Sequence, residues 1–113
     1  MRLLLLALLA GCQRTPPPLE VDGRALYELR CAHCHGPQGR GDGPSAAQLT
    51  PRPRDLSDRS WQARVDDAYL RRVITQGGFG VGLSQAMPGS PDLVAHPEQV
   101  DALVQVVRGL GRP

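Results

Sequence analysis

Apolar positions along the chain fall into three runs at helical spacing, and no alternating stretch is long enough to make a useful strand. Val21, Ala25, Leu26 and Leu29 form the first run, with Asp22 in its first turn and Arg30 in its last, where each suits the helix dipole. This spacing predicts a helix over 21–31. A second helix is marked by Asp66 as N-cap and by Val65 and Leu70 at hydrophobic-staple positions. Tyr69, Val73 and Ile74 occupy its apolar side, and Gly77 ends it. The third runs from His96 to about Gly109, with Pro97 at a first helical position and Val100, Leu103, Val104, Val107 and Leu110 as its stripe. Between the first two helices, Gly36, Gly39, Gly41 and Gly43 interleave with Pro37, Pro44, Pro51 and Pro53. So long a stretch without regular structure either wraps a bound group or is disordered. Residues 77–82, rich in glycine, read as a flexible segment. The expected class is all-α, three main helices with large loops.

Composition sharpens that picture. The 113 residues make one small domain, and although 41% are hydrophobic only 4% are aromatic: one Trp, two Tyr and one Phe. Aromatic side chains normally dominate the energetics of a small core, so something else must fill the middle of this one. No apolar run approaches the roughly 20 residues that span a bilayer. The net charge of +2 comes from 13 basic and 11 acidic residues, and every basic residue is Arg. These arginines are spread along the chain and are not interleaved with aromatics, which argues against nucleic acid as a partner.

The N-terminus has its own signature. Met1-Arg2 precedes an apolar run from Leu3 to Leu9 that reads as a short export signal. The following Leu9-Ala10-Gly11-Cys12 resembles the bacterial lipobox, which implies cleavage before Cys12 and acylation of its thiol. The expected organisation is a lipoprotein signal peptide over 1–11, a lipidated Cys12 and Pro-rich tether over 12–19, and a folded domain over 20–113. Thr15-Pro16-Pro17-Pro18 makes the tether stiff, with a reach of roughly 20 Å at about 3.1 Å per residue. The expected location is the cell envelope, facing the periplasm and lipid-anchored to a membrane. Gln13 stands where retention in the inner membrane often uses Asp, which leans toward the outer membrane. Export also means an oxidising compartment, where free cysteines call for an explanation.

Cys31-Ala32-His33-Cys34-His35 supplies one. Cys-x-x-Cys-His is the attachment pattern of c-type haem. Two thiols three residues apart on one turn add to the two vinyl groups of a single porphyrin, and the next imidazole falls under the iron. Other uses of the pair fit less well. A thioredoxin-like dithiol needs a preceding strand and a βαβ unit. A zinc site drawing on His35 or His96 lacks a second Cys or His pair at a familiar spacing. A disulfide between Cys31 and Cys34 closes too short a loop to stabilise much. His33 is expected at the surface.

A sixth iron ligand is available in Gln85-Ala86-Met87-Pro88-Gly89. With Met1 removed, Met87 is the remaining methionine, and it sits in a Pro/Gly-shaped loop rather than on an apolar helix stripe. His96 is the alternative. A thioether ligand favours ferrous iron, raises the potential, and closes the iron to small ligands.

The order of parts resembles a class I, monohaem cytochrome c of the bacterial lipoprotein type, over about Glu20 to Leu110. Cys34-His35-Gly36-Pro37-Gln38-Gly39-Arg40-Gly41-Asp42-Gly43-Pro44 is similar to the His-Gly-x-x-Gly-x-Gly-Asp-Gly-Pro run of bacterial members. The resemblance implies a cytochrome c fold around one covalently bound haem c. It assigns Cys31 and Cys34 to the vinyls, His35 and Met87 to iron, and the Pro44 carbonyl to the second nitrogen of His35. Trp61, with Arg52 or Arg54, is placed near the haem propionates. Members cross their first and last helices where a small residue meets an aromatic; Gly23 suits the small role, but the last helix offers only Val106 and Val107. The implied function is that of a single-electron carrier with redox-protein partners, acting as a monomer, without enzymatic activity or a small-molecule substrate. The alternative is an electron-transfer subunit of a periplasmic dehydrogenase or terminal reductase complex.

Overall fold

The computed structural model describes residues 15–112, and within them the chain is helical with no strand. Residues 15–20 are exposed and carry no regular structure, while Cys12 and the expected signal peptide lie outside the described residues. Five α-helices follow: α1 (Gly23–Arg30), α2 (Ala32–His35), α3 (Arg59–Arg64), α4 (Asp67–Gln76) and α5 (Pro97–Leu110). Short 3-10 turns occupy Ala46–Gln48, Phe79–Val81 and Pro91–Ala95. None of the described helices is long and apolar enough to cross a membrane.

The helix signals act as local chemistry requires. Asp66 caps α4 by accepting the Tyr69 N–H at 2.7 Å, and Gly77 ends it by donating its N–H to the Val73 carbonyl. Pro97 opens α5, whose first N–H groups have no intrahelical partner to lose. Asp22 lies one position before the first turn expected for it: it is the N-cap of α1 and accepts the Ala25 N–H at 2.9 Å. The α3 helix was not expected; Asp58 starts it by accepting the Ser60 and Trp61 N–H groups.

Tyr27, Leu70, Leu93, Leu103 and Val104 are fully buried, with Leu56, Ile74, Val100 and Val107 completing one core. Each such aliphatic side chain contributes about 1.5–3 kcal/mol on burial. The inward face of α1 differs from its expected stripe: Leu29 is 78% exposed, and Tyr27 is buried instead. Gly23 explains the difference. A Cβ there would lie 2.8 Å from the Ala102 carbonyl oxygen, so α1 meets α5 backbone to backbone at this point. Residues four and eight further on, Tyr27 and Cys31, then turn inward. The small partner of Gly23 in the helix crossing is Ala102, not an aromatic and not Val106 or Val107.

Candidate haem c site

The motif segment is built at the junction of α1 and α2. Cys31 ends α1 by donating its N–H to the Tyr27 carbonyl, and its own carbonyl accepts from Cys34 and His35 at 3.2 and 2.9 Å. That turn sets the two thiols three residues apart on one side. Both are free and half-buried, and burial pushes the Cys31 thiol up to about 11 against the opposing effect of the Arg30 cation. Among the described residues no group of three or more His, Cys, Asp and Glu side chains gathers to hold a metal ion.

The glycine-rich run then folds back over the motif. Gly41, Gly43 and Ser45 donate their N–H groups to the carbonyls of His35, Cys34 and His33 at 2.8, 3.0 and 3.0 Å. Gly43 has to be glycine for this: a Cβ would sit 2.6 Å from the Ala32 carbonyl oxygen and closer still to that of His33. Tyr27 reaches the same loop and donates its hydroxyl to the Gly36 carbonyl at 2.8 Å. The long irregular stretch is therefore hydrogen-bonded around the attachment segment.

His35 is buried, and its Nδ1 lies 2.9 Å from the carbonyl oxygen of Arg54. A carbonyl can only accept, so Nδ1 carries the proton and Nε2 keeps its lone pair for a metal. Burial lowers the pKa of His35 more than the Arg54 bond raises it, which keeps the ring neutral. The partner is thus Arg54 and not Pro44, whose side chain is exposed. Chain geometry accounts for the correction. The amides of 41–45 pin the segment around Pro44 to the motif carbonyls, while Leu56 donates to the Gly39 carbonyl at 2.6 Å and draws 53–56 past the ring.

The remaining expected residues are distributed as follows. Trp61 is half-buried against the core, with the Arg54 guanidinium 5.8 Å from its ring centroid. Arg52 and His33 are exposed. His96 is exposed at the start of α5, with Nδ1 3.4 Å from a Glu98 carboxylate oxygen. Met87 is half-buried, and its carbonyl accepts the Gly78 N–H at 3.0 Å, so the methionine loop is tied to the end of α4. The segment 77–82 is not slack: Gly77 and Gly78 are buried, and Phe79–Val81 forms a 3-10 turn. The Arg54 carbonyl carried no signal in the sequence. Gly77 and Gly89 did, as glycines flanking the methionine loop.

The donor set fits one covalently bound haem c: two free thiols on one turn, followed by a buried neutral imidazole with its second nitrogen anchored. Comparison with known proteins agrees. The family model described as cytochrome C oxidase, cbb3-type, subunit III matches residues 19–105. Among solved structures, the KustC0563 c-type cytochrome is 30% identical with a TM-score of 0.65, over 81% of this chain and 100% of that one. The chain belongs to the cbb3-type cytochrome c oxidase subunit III family and is a monohaem c-type cytochrome, an electron-transfer protein with covalently bound haem c, whose Cys31, Cys34 and His35 fit the Cys-x-x-Cys-His motif.

Proposed function

We propose that the protein is a single-electron carrier whose iron is ligated by His35 and Met87, exported to the cell envelope and held there by acylated Cys12. The observation that carries the ligation is the His35 ring, buried, neutral and oriented through Nδ1 to Arg54, in a described chain whose one methionine is Met87. When bound, the haem supplies an iron that takes up and gives back one electron. The chain's own residues do the rest. The Arg54 carbonyl holds the imidazole in the ligating tautomer and raises its basicity. Met87 offers a thioether, which favours the ferrous state and occupies the position an exogenous ligand would need. Backbone hydrogen bonds from the loop over 36–45 hold the attachment segment, which would limit its rearrangement between the two oxidation states. The partners are redox proteins, and the carrier acts as a monomer without chemistry on a small substrate.

A second reading has a specific support. The matching family is named for an oxidase subunit, so the same domain also suits the electron entry point of a larger terminal oxidase or dehydrogenase complex. Purification from the native envelope separates the two. A free carrier is recovered alone and exchanges electrons with a soluble cytochrome, whereas a subunit is recovered with its catalytic partner. In either case carbon monoxide should not bind the reduced protein at neutral pH, and binding there contradicts Met87 ligation. Replacing Cys12 by Ser should release the protein into the soluble fraction; unchanged membrane retention contradicts the anchor.

A further inference from the structure

The methionine loop leaves α4 at Gly77 and returns at Ser90, and its neck is closed by backbone alone. Gly78 donates to the Met87 carbonyl at 3.0 Å, and Ser90 donates to the Ile74 carbonyl at 2.9 Å. Leu83 donates to the Gly78 carbonyl at 2.7 Å and folds the outgoing strand of the loop onto the same point. Between these bonds two glycines face each other. A Cβ on Gly77 would lie 2.6 Å from the Gly89 nitrogen and 2.7 Å from the Met87 carbonyl oxygen. A Cβ on Gly89 would lie 2.5 Å from the Thr75 carbonyl oxygen and 2.7 Å from the Gly77 nitrogen. Neither backbone has room for a methyl group, and α4 is fixed in place by Leu70 and Ile74 in the core. Any side chain at the neck must therefore displace the loop. Pro88, with its fixed φ, passes that displacement to Met87.

We propose that Gly77 and Gly89 are positioning residues for the Met87 thioether: their bare backbones seat the Met87 carbonyl on the Gly78 N–H and so set how far the Met87 side chain projects. This rests on Met87 as the sixth ligand. Gly82 provides the control. It lies in the same loop with a positive φ of 79°, yet a Cβ there meets nothing within 4 Å. A substitution at Gly82 strains the loop without touching the neck.

The test compares oxidised holoprotein carrying Gly89→Ala, Gly82→Ala or Met87→Ala. The readouts are the long-wavelength thioether-to-iron band and the reduction potential. Gly89→Ala should keep covalent haem and lose most of the band. Its potential should fall. Gly82→Ala should keep the band and the potential even where it lowers the unfolding midpoint. A wild-type band and potential in Gly89→Ala overturn the proposal, as does an equal loss in Gly82→Ala. An unchanged band in Met87→Ala overturns the ligand assignment instead, so the two failures are distinct. Should Gly89→Ala yield no holoprotein, amide hydrogen exchange on the wild-type holoprotein decides. The Gly78 N–H should be protected as strongly as the last amides of α4, and exchange as fast as the exposed loop amides overturns the proposal.

Discussion

The two sides of the expected haem site are built in different ways. On the cysteine side, residues 31–45 are bonded to one another: the motif carbonyls of His33, Cys34 and His35 each receive an N–H from the loop that follows, and Arg54 orients the ring. On the methionine side the backbone bonds gather at the base of the loop, where Val81 and Leu83 donate to the Gly78 carbonyl and Gly78 donates to that of Met87. Met87 sits in a loop held where it joins α4, while Phe79 and Leu83, further out, are 74% and 59% exposed. The first construction makes attachment and proximal ligation a local property of the chain. The second makes the proposed distal ligand, Met87, depend on how its loop seats against the end of α4, so it should be the side that opens first.

The largest effect expected is on the cysteine side. Replacing Cys31 and Cys34 together by Ala should abolish covalent haem, seen as loss of the pyridine haemochrome in the denatured protein. The body should then fail to resist proteolysis, since four aromatics and a short list of aliphatics make a thin core without the porphyrin. Gly43→Ala should come next, at about 2–4 kcal/mol, because its Cβ collides with the Ala32 and His33 carbonyls and breaks two loop bonds. Denaturant unfolding of the holoprotein measures this. What separates the two sides is that the thioether band of the surviving folded protein should be unchanged, whereas a neck substitution spares the unfolding midpoint relative to the band.

Tyr27→Phe should cost about 1 kcal/mol, since it leaves the Gly36 carbonyl without its hydroxyl donor. It also carries a pH signature. Burial pushes the Tyr27 hydroxyl up to about 12 from 10.0. A group whose folded pKa is raised stabilises below its unfolded value and loses that contribution as pH rises through the folded one. Wild-type stability should therefore fall between pH 10.0 and about 12, and Tyr27→Phe should flatten that fall.

The smallest effect is expected where the two sides are joined by side chains. Arg30, next to Cys31, grips Asp92, beyond the methionine loop, through Nη1 and Nη2 at 3.0 and 2.7 Å. Both are exposed enough that Arg30→Gln should lower the unfolding midpoint only slightly, and salt should erase the difference. The hydrogen bond from Arg30 holds the Asp92 carboxyl below its usual range. Its contribution is thus present above the ordinary carboxylate value and lost only as acid protonates Asp92. A larger change in the thioether band than in stability would show this strap to be part of the distal device.

How much of this was legible in the sequence follows the same division. The α4 boundaries were readable because Asp66 and Gly77 act on their own backbone neighbours. The attachment motif was readable because its spacing is imposed by covalent chemistry on one turn. The face of α1 was not, since the choice between Leu29 and Tyr27 is made by the Gly23 contact with Ala102, far along the chain. The His35 partner was missed for a related reason: a backbone carbonyl has no residue signature, and Arg54 contributes one only because Leu56 is pinned to Gly39. The glycines of 77–89 looked like freedom when they are a close contact. Backbone approaches that forbid a side chain are written in glycine, but the sequence does not say what is approached.

Paired spectra of the oxidised wild-type protein and Met87→Ala test the central claim most directly, with covalent haem verified in both by intact mass. His35/Met87 ligation predicts one haem per chain in each, the long-wavelength thioether band in the wild type, and its disappearance in the variant. Its absence from the wild type, or its survival in Met87→Ala, would contradict the account.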